Sequence, residues 1–205
     1  MGDETRKKVA SFEHSPLIRT AAWLANKGGW MPVLQFRRRA DRLEVVGSNG
    51  YVMIIGEIDA TFSEWEDGEC VLFSDRGPIL SLSNALKHAL SGGDGVQVLE
   101  IYGDSGLFHI TGYFKSVTVR LPHASDEPVK TEAAEEVAAT DAEGRSLVSS
   151  SNLMVMAKLT RIVGAGCFGW YVEPHGRNKA MALRLMVDQQ RNEVLIIAMP
   201  LREES

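Results

Sequence analysis

Acidic residues are missing from three long stretches of a chain that is otherwise rich in them. There are 27 Asp and Glu against 22 Lys and Arg, yet residues 14–40, 76–93 and 145–172 contain neither acid. Long apolar runs are also lacking. None approaches the ~18 residues of a membrane span, and the charged first residues have no apolar segment behind them, so the expectation is a cytoplasmic protein with no membrane contact. Cysteine is scarce: Cys70 and Cys167 lie far apart among apolar neighbours, which favours free thiols in a reducing compartment over a disulfide. The histidines, His14, His88, His109, His123 and His175, are scattered without metal-ligand spacing. No catalytic constellation stands out, so neither enzyme activity nor a metal or other cofactor is expected. Gly92-Gly93-Asp94-Gly95 follows a helical pattern and enters a strand, the reverse of a phosphate-cradling loop, and reads as a turn.

What is present is a repeat. Residues 69–122 read as a strand, a helix and three strands. In the helix, Ile79, Leu82, Leu86, Ala89 and Leu90 recur at three- and four-residue steps. Pro78 sits in its first turn and Gly92 follows its last. Residues 9–59 follow the same order, with a helix from Ser15 or Pro16 to Lys27 and turns at Ala40-Asp41 and Ser48-Asn49-Gly50. A third unit runs from residue 145: a strand over 145–148, a helix over 149–163 with Leu153, Met156, Ala157 and Thr160 inward, and three strands. The repeat of about 60 residues predicts an α+β fold of βαβββ modules, with helices on one face of antiparallel sheets. Residues 1–124 form a two-module domain and residues 145–205 a single module. Between them, residues 125–144 turn to Glu, Asp, Ala and Thr without an apolar period and read as a loosely packed acidic linker.

Charge gives the more specific clue. The three predicted helices carry Arg19 and Lys27, Lys87 and His88, and Lys158 and Arg161, with no acid beside them. Glu is a good helix former and pairs with Lys four residues away, so its exclusion from all three implies outer faces that meet something negative. If the helices line one concave surface, these six residues would hold double-stranded DNA by sequence-independent attraction that salt screens. Trp23 shares a face with Arg19 and Lys27, and is the only tryptophan placed to join them. Arg37-Arg38-Arg39 has two readings, a nucleic-acid contact or the solvated edge of a sheet ending at a turn.

With these features the chain resembles the bacterial sliding clamp, the beta subunit of DNA polymerase III. Residues 46–53, VGSNGYVM, are similar to the family's ATDGHRLA segment, with Ser48, Asn49, Gly50, Tyr51, Val52 and Met53 at the last six positions. Residues 194–202, VLIIAMPLR, resemble its closing strand and MPMRL tail through Met199, Pro200 and Arg202. The resemblance implies helices lining a ring's hole, sheets outside, and a pocket for peptides of a DNA polymerase and clamp loader. That pocket would comprise Ser48, Asn49, Gly50, Tyr51, Val52, Met53, Pro122, Met199, Pro200, Leu201 and Arg202. By itself, Ser48-Asn49-Gly50 also reads as a plain hairpin turn. Two departures stand out: Val52 replaces the family's arginine, and the chain shows three modules where the family has six. The half-domain left over predicts a homo-oligomer. Two functions follow, a DNA sliding clamp or clamp-like processivity factor, and a clamp-derived peptide-binding adaptor that does not encircle DNA.

Overall fold

The computed structural model describes residues 8–13, 15–63, 65–90, 98–102, 107–111, 116–120, 129, 131–139, 148–163, 171–174, 180–187 and 192–199. The first module is β1 (Lys8–Glu13), α1 (Pro16–Asn26), β2 (Val33–Arg39), β3 (Arg42–Ser48) and β4 (Val52–Phe62). The second is β5 (Cys70–Phe73), α2 (Arg76–Leu90), β6 (Val98–Tyr102), β7 (Leu107–Thr111) and β8 (Ser116–Arg120). Then come α3 (Glu132–Ala139), α4 (Ser150–Val163), β9 (Tyr171–Pro174), β10 (Met181–Val187) and β11 (Asn192–Ala198).

Local chemistry sets the helix starts. Ser15 is extended, its Oγ accepts from the Leu17 amide, and Pro16 occupies the first helical position of α1, where no amide partner is needed. Ser149 caps α4 in the same way, its Oγ accepting from the Asn152 amide. Among the described residues no helix is long and apolar enough to cross a membrane.

All strand pairings are antiparallel, and β4 joins the modules. Its first half, Val52 to Gly56, pairs with β11, while Ala60 to Phe62 pair with β1. One run of strands is therefore β5-β2-β3-β4-β11-β10-β9, and a second, β1-β6-β7-β8, is attached through the end of β4. Residues 60–62, beyond the unit read from the sequence over residues 9–59, belong to this strand because β1 completes their hydrogen bonding.

The two faces of the sheet carry separate cores, as side-chain alternation requires. Leu34, Phe36, Leu43, Val45, Val52, Ile54, Val194 and Ile196 point to the side covered by α1, α2 and α4. There Phe36 lies 6.1 Å from Phe12 and 6.4 Å from Phe73, centroid to centroid. α1 comes so close to β3 that a Cβ on Gly47 would stand 2.5 Å from the Ala21 Cα. Helix α1 is central, packed against α2 on one side and α4 on the other. Val46, Ile55, Ala182, Leu195 and Ile197 form the core of the opposite face, where Ala134 of α3 packs.

Several sequence expectations change. Residues 132–139 make a helix bound to the sheet, where composition predicts a loose linker. In α4 the inward residues are Met156 and Leu159, while Leu153 and Ala157 are exposed and Thr160's side chain lies outside what the structure describes. The expected strand over 145–148 falls outside the described residues except for Val148, which is not in a strand. Cys70 is half-buried, and Cys167 is outside the described residues.

Candidate nucleic-acid interface and docking end

On α1, Arg19, Trp23 and Lys27 recur every four residues and share the solvent-facing stripe, because the apolar residues between them turn to the sheet. Arg19 and Lys27 are exposed and Trp23 is half-buried. The Lys27 ammonium lies 5.3 Å from the centroid of the Trp23 ring. From the neighbouring helix, the Lys158 ammonium lies 4.6 Å from the same ring. Arg161 is exposed nearly one turn further along α4. The structure thus brings Lys27 and Lys158 together across the first and third modules. Lys87 and His88 lie in α2, with side chains outside the described residues. Arg76, which the sequence reading passed over, opens α2 and donates to the Gly29 carbonyl at the end of α1.

No salt bridge among the described residues involves Arg19, Lys27, Lys158 or Arg161. A layer of cations with no salt-bridge partner among the described residues attracts polyanions.

The opposite face treats its arginines differently. β2 lies between β3 and β5 as far as Arg37, which is buried, while Arg39 lies beyond the β5 pairing at the turn that ends the hairpin, and the side chains of both are engaged by carboxylates. Arg37 grips the fully buried Glu44 carboxylate with two nitrogens, at 2.9 and 3.0 Å, and donates to Thr131 at 2.8 Å and Glu132 at 3.0 Å. Arg39 donates to Glu44 at 3.1 Å and to Glu135 at 2.6 Å. Burial pulls the Arg37 guanidinium down, but the bonds to Glu44 and Glu132 outweigh it and hold the group above its ordinary value. Arg39 is also raised, chiefly by its hydrogen bond to Glu135. Glu132 is held below the usual carboxylate range by its own backbone amide at the start of α3 and by Arg37. Val129 adds a backbone amide donated to Gln35.

At one end of the sheet, the β3–β4 turn meets the end of β11. The Met199 amide donates to the Tyr51 carbonyl at 2.8 Å, so the two short segments singled out in the sequence are neighbours in space. Within the turn, Asn49 Oδ1 accepts from the Tyr51 and Val52 amides, and Ser48 Oγ accepts from Gly50 while donating to the Val52 carbonyl. Ser48 and Asn49 are therefore buried builders of the turn. Val52 is also withdrawn, because its side chain enters the helix-side core. Met53 is half-buried on the opposite face, while Tyr51 and Met199 are 46% and 55% exposed. Pro122, Pro200, Leu201 and Arg202 lie outside the described residues.

The sequence reading missed Trp30 and Met31 beside this turn. Trp30 donates through Nε1 to the Gly50 carbonyl at 3.0 Å and is 66% exposed. Gly50 has φ +89°, and a Cβ there would collide with the Trp30 ring, so glycine is needed both for the backbone and for this contact. The available signal was the solvent-facing Trp-Met pair directly before a strand. Exposed aromatic and methionine side chains of this kind make an adaptable apolar surface.

No family model matches the sequence, and no curated protein matches it. Solved structures do match in fold, and they are DNA sliding clamps. The DNA polymerase sliding clamp from Bacillus subtilis superposes with a TM-score of 0.64 at 11% identity, over 100% of this chain and 66% of its own. The sliding clamp from Pseudomonas aeruginosa bound to griselimycin gives 0.62 at 13% identity, over 99% and 68%. The PCNA of A. fulgidus, bound to the C-terminal region of FEN-1, gives 0.56 at 12% identity, over 96% and 100%. The chain spans about two thirds of the bacterial clamps' length.

Proposed function

We propose that this chain, which has the DNA-clamp fold, works as a sliding clamp or clamp-like processivity factor. It lays α1, α2 and α4 along duplex DNA and offers the end of the sheet to short peptides of a DNA polymerase and clamp loader. One observation carries the reading: the three helices that share a face of the sheet are the three without a single acid. Arg19, Lys27, Lys87, His88, Lys158 and Arg161 contact phosphates and read no sequence, which leaves the protein able to slide. Tyr51, Met53 and Met199, together with Trp30, form the apolar floor of the peptide site. Residues 122 and 200–202 complete it. Residues 1–124 act as one two-module domain, α3 of the intervening segment is fastened to its sheet, and residues 145–205 act as a third module joined to it through β11 and α4, with self-association supplying the further modules that a ring needs.

The test is retention on DNA. A clamp stays on a closed circle at moderate salt and leaves when the circle is cut. Equal loss from circular and linear DNA, or a strict monomer in sedimentation at micromolar concentration, would reject encirclement. Changing Tyr51 and Met199 together to alanine should weaken a polymerase-derived hydrophobic peptide by roughly tenfold or more.

The exposed Trp30, Tyr51 and Met199 at the docking end support a second reading, an adaptor that binds such peptides without encircling DNA. Peptide affinity without DNA retention would select it.

A further inference from the structure

We infer that Trp23 is a positioning residue for the phosphate contact: its ring holds the ammonium groups of Lys27 and Lys158 as one preformed cationic pair. This rests on the reading of the helix layer as the DNA face. Both nitrogens lie close to a single ring, at 5.3 and 4.6 Å from its centroid, which bounds their separation by the sum of those distances, about 10 Å. Over such a length a duplex, with a charge for every ~1.7 Å of axis, presents several phosphates.

An exposed lysine normally samples many rotamers and loses that freedom when it grips an anion. A ring quadrupole that attracts both ammoniums removes part of that loss before DNA arrives. No carboxylate does the job here: α1 and α4 contain none, and no salt bridge among the described residues reaches either lysine. An acid would also order the lysines but would cancel their charge, whereas an indole leaves it intact. Because Lys27 closes the first module's helix and Lys158 lies in the third module's, the pair exists only while α4 is docked on α1.

The test uses the full-length protein and a blunt duplex of random sequence, with affinity measured across a salt series. Trp23→Leu should weaken binding about three- to tenfold with an unchanged slope of log affinity on log salt, since no charge is lost. Trp23→Phe should restore most of the affinity. Changing Lys27 and Lys158 together to alanine should lower the slope by about 0.9 per lysine. In that double variant, Trp23→Leu should have no further effect. An additive loss there, or unaltered binding by Trp23→Leu in the native background, would overturn the positioning role while leaving the DNA face standing. If Trp23→Leu folds poorly, Trp23→Met carries the same comparison with a flexible filler. Duplex binding by the unaltered protein that shows no salt dependence would instead remove the DNA face, and this inference with it.

Discussion

The two faces of the central sheet carry helices of opposite character. On one, α1, α2 and α4 have no acid, and Arg19, Lys27, Lys158 and Arg161 stand without a carboxylate among the described residues. On the other, α3 brings Glu132 and Glu135 onto Arg37 and Arg39, which already share the buried Glu44. The chain places cations on both faces, but among the described residues only one face leaves their charge unspent. A cluster of cations is therefore a poor marker of nucleic-acid contact until its nearest acids are known. The run of three arginines was the most conspicuous basic feature in the sequence, and it serves the fold.

Removing Glu44 should break the outer face most severely. Its carboxylate is fully buried, and Glu44→Ala leaves the Arg37 guanidinium, at 8% exposure, without its closest counter-charge. Breaking a buried pair from one side costs about 3–5 kcal/mol. Denaturant unfolding should show that loss, with duplex affinity per folded molecule unchanged. A loss under ~1 kcal/mol would mean that the Arg37–Glu44 pair is solvated and does not organise the face.

The inner face should respond in the opposite sense. Changing Lys27, Lys158 and Arg161 together to glutamate should lower duplex affinity at low salt roughly a hundredfold and flatten the salt dependence, because three phosphate contacts are lost and three repulsions added. Stability should move by less than ~1 kcal/mol, since these charges are exposed and make no salt bridge among the described residues. Unchanged retention on DNA would remove the functional distinction between the faces.

The contrast was only half legible in the sequence. Periodicity located α1, α2 and α4 and most strands, because each buries an apolar stripe that local spacing reveals. The lack of acids on those helices was equally plain. By contrast, the apolar residues of α3 are alanines and a single valine, too small to mark a buried stripe: Ala134 is its one described contact with the outer core, and Arg37 and Arg39, nearly a hundred residues away, supply its other anchors. No local pattern carries that information. Leu153 and Ala157 misled for a related reason. The apolar residues of α4 extend more than halfway round the helix, and only the docking on α1 and the sheet decides that Met156 and Leu159 go inside. At the docking end, the two short segments could be matched in sequence, but the inward turn of Val52 follows from the strand's alternation, and Trp30 joins only because the α1–β2 connection folds over Gly50.

Acid offers the mildest way to loosen the outer face alone. Glu132 is held below the usual carboxylate range in the folded chain, so its contribution is fully present above its unfolded value and is lost as pH falls through the depressed folded one. Arg37 and Arg39 are raised, so they lose their protons only at strongly alkaline pH and do not contribute on the acid side. The attachment of α3 should consequently weaken below the ordinary carboxylate range, while the acid-free helices α1, α2 and α4 keep their charge and packing. The Glu132 side chain is 60% exposed, so its bond to Arg37 is worth about 0.2–1 kcal/mol. The protection of amides across residues 131–139, taken relative to their intrinsic exchange rate at each pH, should then fall a few-fold between neutral and acidic pH, with little change in residues 16–26. Glu132→Gln should flatten that pH response by removing the titrating group. A profile in Glu132→Gln identical to that of the unaltered protein would show that the Glu132 carboxylate does not anchor α3.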